Sequence, residues 1–178
     1  MQVFFTGCTH FGHANIIKLA NRPFSDIAEM NEALVERWNA KVGPGDRVYH
    51  LGDVAWKTVT PWLERLNGQK FVLLGNHDER SELESAAGSI TDIRDYHELK
   101  AQGARFVLFH YPIDDWNGRW RGSIHLHCHT HSKEFLNPNL PDAPIDLRCN
   151  RFNVGVDACG FAPVSLEEVL AAAKALAG

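Results

Sequence analysis

A chain of 178 residues with 44% hydrophobic and 10% aromatic content can bury one sizeable core, so residues 1–178 are read as a single domain. Its formal net charge of −4, from 18 Lys plus Arg against 22 Asp plus Glu, offers no positive field to long nucleic acid but leaves room for a small phosphorylated substrate. The start has no basic segment followed by a long apolar stretch, no run is long enough to span a bilayer, and the four cysteines form no Cys-x-x-Cys pair, so a cytoplasmic protein with reduced thiols and no membrane partner is expected.

In chain order, residues 3–6 read as a first strand. A helix follows, with Ile27, Met30, Leu34 and Trp38 at helical spacing after the capping pair Asp26 and Glu29. The turn Gly43-Pro44-Gly45-Asp46 ends that region. Residues 47–51 form a second apolar run stopping at Gly52, residues 61–66 a short helix closed by Gly68, and residues 70–74 a third buried strand ending at Gly75. Residues 105–109, 123–127 and 152–156, with turn residues between them, suggest successive hairpin-connected strands. Residues 137–146, with three prolines, read as an exposed loop inside the domain. Ser165 and Glu168 make a capping box that opens an Ala-rich C-terminal helix.

Ten histidines are an unusual number, and they come in short clusters, which suits metal binding. Each apolar run except the last delivers polar residues at its C-terminal end: Cys8-Thr9-His10, Gly52-Asp53, Gly75-Asn76-His77-Asp78, His110, and His129-Thr130-His131. Open α/β sheets place their sites there, with glycines turning the backbone so that the next side chain enters a shared crevice. Any one of these signals alone is an ordinary turn or cap; it is their recurrence after five strands that points to a site. His13 reads as the opening of the first helix, His125 and His127 as core or supporting groups beside the ligand strand, and Trp56 as packing.

"CTHFGH", "GDVAW", "GNHD", "FHYP" and "HCHTH" together resemble the five ordered blocks of the calcineurin-like metallophosphoesterases, and the resemblance extends to "NVGVDA" at 153–158. It resembles in particular the small bacterial and phage members that carry little beyond the catalytic core. The resemblance implies a four-layered α/β/β/α sandwich and a metal-dependent phosphoric ester hydrolase with two divalent ions, zinc, iron or manganese. It assigns Cys8, His10, Asp53 and His131 to one metal and Asp53, Asn76, His110 and His129 to the other, with Asp53 as the bridge. Two cations about 3.5–4 Å apart need a shared anionic oxygen, and such a pair can activate a hydroxide for attack on phosphorus. His77 would stabilise transition-state charge or protonate the leaving alkoxide, and Asp78 would orient its imidazole or be a surface turn residue.

The chain departs from the family pattern at two places. Cys8 stands where aspartate is usual and Cys128 where glycine is usual. Either Cys8 ligates as thiolate and biases its site toward softer ions, or it does not ligate and the protein is a catalytically weak or silent metal-binding module. A disulfide between Cys8 and Cys128 is a third reading. The stretch "DDWNGRWRG", with Trp116, Arg119, Trp120 and Arg121, could stack a base and grip phosphate, which favours a phosphodiester with a nucleotide-like group, or it could be a solvated tip with one tryptophan buried.

Overall fold

The computed structural model describes residues 1–135 and 150–177, so the loop expected at 137–146 lies outside the described residues. Four parallel strands, β1 (Val3–Thr6), β2 (Arg47–His50), β3 (Gln69–Leu73) and β4 (Asp92–Arg94), form a first sheet in the order β4-β3-β2-β1, with β9 (Val164–Ser165) antiparallel on the β1 edge. A second sheet has the order β5 (Tyr96–Ala101), β6 (Ala104–Phe109), β7 (Ile124–His127), β8 (Arg151–Asn153).

The apolar stretches within β1 to β3 (Phe4–Phe5, Val48–Tyr49 and Phe71–Leu73) follow from burial on both faces. Along each strand, adjacent residues point oppositely. Phe4, Val48 and Val72 face a helical layer of α1 (Ile16–Leu19), α2 (Ile27–Lys41), α3 (Thr60–Leu63) and α4 (Arg80–Ser85). Phe5, Tyr49 and Leu73 face Phe106, Leu108, Leu126 and Phe152 of the second sheet, in a core that α5 (Leu166–Ala177) closes with Leu166 and Val169. The result is the mixed α/β sandwich of two sheets implied by the family resemblance. The outer face of the second sheet is covered, among the described residues, by the segment carrying a short 3-10 turn (Arg119–Arg121).

Both helix caps expected from sequence form. Asp26 accepts a hydrogen bond from the Glu29 amide at 2.9 Å, although the Glu29 carboxylate turns to Ser25 rather than back to Asp26. At α5 the box is reciprocal: Ser165 N–H donates to Glu168 at 2.6 Å and the Glu168 amide donates to Ser165 Oγ at 3.1 Å.

The hairpin expectation for the later strands needs correction. β6 pairs parallel with β7, and β7 with β8; the one hairpin there joins β5 to β6. Parallel neighbours need a crossover of about a dozen residues or more. Residues 110–123 and 128–150 are long enough to supply it. The parallel arrangement brings the C-terminal ends of β6 and β7 to one edge, as it does for β1 to β3, and the polar clusters sit at those ends.

Trp38 is fully buried in the outer core, where its indole N–H donates to Asn67 O at 3.0 Å. Trp38→Ala should cost about 3–5 kcal/mol of unfolding free energy, measured by urea titration followed by circular dichroism.

Candidate metal centre

The five clusters converge because their loops are laced to one another across the strand ends. Cys8 N–H donates to Gly52 O (2.8 Å) and His10 N–H to Asp53 O (3.0 Å), tying the loop after β1 to the loop after β2. Cys128 N–H donates to His110 O (3.0 Å), and His129 N–H donates to Cys8 Sγ (3.1 Å), which joins the two sheets. Cys8, His10, Asp53, His129 and His131 all hold positive φ, between 50° and 57°. Non-glycine residues there cost of order 1–3 kcal/mol each and persist where the surroundings over-determine them. Gly75 is required by crowding: a Cβ there would overlap Asp53 Oδ1 and lie 2.5 Å from its amide nitrogen.

The side chains form two donor groups around one carboxylate. Asp53 is buried, and its Oδ2 lies 3.5 Å from His10 Nε2 and 3.5 Å from His110 Nε2. On one side, ligand atoms of Cys8, His10 and His131 lie within 4.8 Å of one another. On the other, Asn76 Oδ1 is 3.0 Å from His110 Nε2 and 3.0 Å from His129 Nδ1, and those two nitrogens are 3.2 Å apart. All seven residues expected as ligands are therefore brought together.

Ring chemistry fits a cation on both sides. His110 Nδ1 donates to the Leu51 carbonyl at 2.7 Å, which leaves the Nε2 lone pair facing Asn76 and His129. His131 Nδ1 bonds to Asp157 at 2.9 Å, which leaves its Nε2 free. His10 Nε2 is buried with no hydrogen-bond partner, and burial, reinforced by His131 and Arg22, pushes its pKa down to about 2, so it is a neutral lone-pair donor. Burial opposes protonation of His110, but the Cys128 sulfur and the Asp53 carboxylate outweigh it and raise its pKa to about 9; the pocket draws positive charge.

The profile of the calcineurin-like phosphoesterase superfamily domain matches residues 1–137. The chain belongs to that superfamily. An uncharacterized protein of Methanocaldococcus jannaschii is 33% identical over 175 residues, covering 95% of this chain and 89% of its own. The gene 66 protein of Mycobacterium phage L5 is 26% identical, covering 89% and 88%. Among solved structures, a protein of unknown function from Aquifex aeolicus superposes with a TM-score of 0.73 at 26% identity, covering 96% of this chain and 98% of that one. At the level of the superfamily, this is a metal-dependent phosphoesterase fold, and its candidate metal-binding groups among the described residues are Cys8–His10–His131, Asp53–His110–His129 and, between them, Cys8–His110–Cys128.

Three residues that support this phosphoesterase centre carried no role in the sequence reading. Arg22 is buried and uses all five donors: two on Asp157 (3.1 and 2.9 Å), and the others on Thr9 O (3.0 Å), Cys8 O (2.7 Å) and Met30 Sδ (3.4 Å). It thus fixes both the strained Cys8–Thr9 backbone and the carboxylate that aims His131. Burial alone would raise the Asp157 pKa, but the His131 bond and the Arg22 charge hold it down to about 2. His50 accepts from Gly52 N at 3.2 Å through Nδ1 and meets Thr9 Oγ1 at 2.9 Å through Nε2, bracing the first two loops. "NVGVDA" contained the signal for Asp157; nothing marked Arg22.

Asp78 needs correction. It was expected to orient His77, but its oxygens accept from the backbone N–H groups of Asp53 (2.6 Å), Val54 (2.9 Å) and Gly75 (2.9 Å). Three backbone amides occupy both oxygens of the carboxylate, so it clamps the turn carrying Asp53. His77 instead stands at the rim, its ring 5.5 Å from that of His10 and its amide donating to Asp53 Oδ1 at 2.9 Å.

Arg119 and Arg121 are not brought to the centre. Arg119 stacks over Trp116 (5.3 Å) and Trp120 (4.9 Å), and Arg121 lines a separate pocket of about 340 Å³ with Arg105 and Gly103. Ala104, which also lines that pocket, begins the six-residue strand that ends before His110, so the pocket lies roughly 20 Å away at about 3.3 Å per residue. The parallel crossover is the cause: a segment that enters β7 must sit at the opposite edge from the residues that leave it. Trp116 is buried and Trp120 is 70% exposed, as in the solvated-tip reading. Trp56, expected to be packing, is 46% exposed and meets His13 edge-on at 4.4 Å. His13 opens α1 as expected, accepting from the Ile16 amide at 3.0 Å, and His125 and His127 are fully buried on β7.

Asp78→Asn should lower metal affinity about 10–100-fold, read by equilibrium dialysis, because the Asp53 turn loosens. A residue acting only through His77 would leave affinity unchanged.

Proposed function

We propose that the protein hydrolyses phosphodiesters using two divalent cations that share Asp53. The observation that carries this reading is the position of Asp53 Oδ2, equidistant at 3.5 Å from one ring nitrogen of each donor group. Cys8, His10, Asp53 and His131 would hold one cation, and Asp53, Asn76, His110 and His129 the other. When bound, such a pair supplies Lewis acidity toward phosphoryl oxygens and lowers the pKa of water.

The chain's own residues do the rest. Asp53 and Cys8 supply the negative charge, while Asn76 adds a neutral oxygen that avoids excess anion beside a phosphate. Arg22, Asp157, His50 and Asp78 keep the donors in place before substrate arrives, so little reorganisation is needed during reaction. His77 is placed at the rim to hydrogen-bond a phosphoryl or leaving-group oxygen. The substrate is small, since a net charge of −4 disfavours long nucleic acid, and a reducing cytoplasmic setting suits the free thiols of Cys8, Cys128 and Cys159. Among the described residues no helix is long and apolar enough to cross a membrane.

Ligation by Cys8 is favoured over the silent-module alternative by its placement with His10 and His131. Burial, with the Cys128 thiol beside it, pushes the Cys8 pKa well above the ordinary thiol value, so a cation is what would hold it as thiolate. The His129 amide already points at the sulfur to support that charge. Sulfur favours zinc or ferrous iron over manganese.

Two metal equivalents by elemental analysis, with turnover of an aryl phosphodiester in at least one of zinc, ferrous iron or manganese, are expected; one equivalent and no turnover in any of them sinks the proposal. Asp53→Asn should abolish tight binding of both equivalents and reduce turnover by more than about 100-fold, the scale of losing one preorganised electrostatic contact. In Cys8→Asp, activity with manganese should rise several-fold relative to zinc; an unchanged ratio means that residue 8 does not set the preference.

A further inference from the structure

Leu19, Trp56 and Tyr111 are three of the six large apolar side chains exposed among the described residues, and all three border the candidate centre. Isolated exposed apolar residues are ordinary, but a cluster beside a polar site marks a binding surface. Tyr111 sits 4.6 Å from the His129 ring, and Trp56 lies 6.2 Å from His77. Leu19, 77% exposed at the end of α1, joins Ile16 as the apolar wall of a groove of about 230 Å³ whose floor is Asp53, Asn76, His129 and His131.

A second groove of about 280 Å³ opens on the other side of His77, lined by Lys57, Thr58, Glu79 and Glu82. His77 lines both grooves. The two have different chemistry. The first presents hydrocarbon and imidazole faces. The second presents the carboxylates of Glu79 and Glu82, with that of Asp78 held on backbone amides, a hydroxyl and one ammonium, which pair with hydroxyl groups and, on balance negative, disfavour a further phosphate. Its volume is at the low end of what small-molecule sites offer, so its occupant is small.

On the diester reading above, we propose that His77 stands between two ester-group subsites: an apolar or aromatic group rests on Ile16 and Leu19, and a small polyhydroxy alcohol occupies the groove of Lys57, Thr58, Glu79 and Glu82. Phosphorus then lies at the junction, against the candidate metal ligands. A monoester fills one groove only, which is the structural basis for preferring a diester. The Trp116–Arg121 loop has no part in it.

Steady-state kinetics with two probes test this: glyceryl para-nitrophenyl phosphate and methyl para-nitrophenyl phosphate. The glyceryl ester should have the lower KM with the wild-type protein, and Glu82→Ala should erase that difference. Leu19→Asp should raise KM for both diesters roughly tenfold, the scale of one lost apolar contact in a pocket, with kcat little changed. Both side chains are exposed, so the variants should melt like the wild type. Diester turnover with KM unchanged in both variants overturns the two-subsite proposal while leaving the phosphodiesterase reading intact. No diester turnover by the wild type in any metal overturns both.

Discussion

The structure depends on burying the carboxylate of Asp53. Its side chain is 1% exposed, and an uncompensated anion at such a position costs several kcal/mol. Compensation comes from the His77 amide on Oδ1 and from the His110 ring 3.5 Å from Oδ2, while the neutral, unpartnered His10 Nε2 at the same distance leaves room for a cation. That demand explains features that look unrelated along the chain. Gly75 has no side chain because Asp53 fills the space, Gly52 sits at φ 99° to admit the turn, and Asp78 spends both oxygens on amides of the same turn. Against the opposing effect of burial, and behind the larger influence of the Cys128 sulfur, the Asp53 carboxylate also contributes to the raised pKa of His110.

A strained site needs a rigid frame, and the two sheets supply it in different ways. The loops after β1 and β2 are extended by backbone hydrogen bonds beyond the last ladder pair, up to Phe11 N–H on Val54 O at 3.0 Å. The loops after β6 and β7 reach the first sheet through contacts that include the His129 amide on Cys8 Sγ, the His110 ring on Leu51 O, and Cys128 Sγ on the same carbonyl at 3.2 Å. Sliding one sheet over the other would break all three, so the relative position of the sheets and the geometry of the donors are one constraint. Arg22 adds a third anchor from the helical side, where its guanidinium ties α1's C-terminal segment to the Cys8–Thr9 carbonyls and to Asp157.

Much of this was legible in the residues because backbone conformation, which pattern reading sees, decides where strands end. The runs leading to Cys8, Asp53, Asn76, His110 and His129 are short, apolar and followed by glycine or a polar cluster, and each is a real strand end. Strand direction was not legible: turn residues between 105 and 156 look alike whether a chain reverses or crosses over, and the hairpin expectation failed there. That error also misplaced Arg119 and Arg121, since a hairpin would have carried them to the ligand edge. β4, β5 and β9 were missed because they are short or, like β5, alternate between half-buried and exposed without a hydrophobic run. Arg22 was invisible for another reason. Its role comes from five acceptors scattered over the chain, a property of the packed molecule that no local spacing encodes.

The two departures from the family pattern are a single local change. Cys128 packs so close to the loop after β1 that a Cβ on Gly7 would lie 2.6 Å from its sulfur, and its Cβ is 3.2 Å from where one would stand on Gly155. A residue larger than glycine at 128 therefore needs glycine at its neighbours, and the chain has glycine at both. The Cys128 thiol also touches the His110 ring at 3.3 Å on the side away from Asn76, so it supports a donor without competing for the same face. Cys8 is buried against it, with the His129 amide completing the enclosure. An aspartate at 8 would bring a second carboxylate into a floor already built around the buried charge of Asp53. A thiol can remain neutral until a cation arrives, which makes sulfur at position 8 the less costly donor for this particular packing.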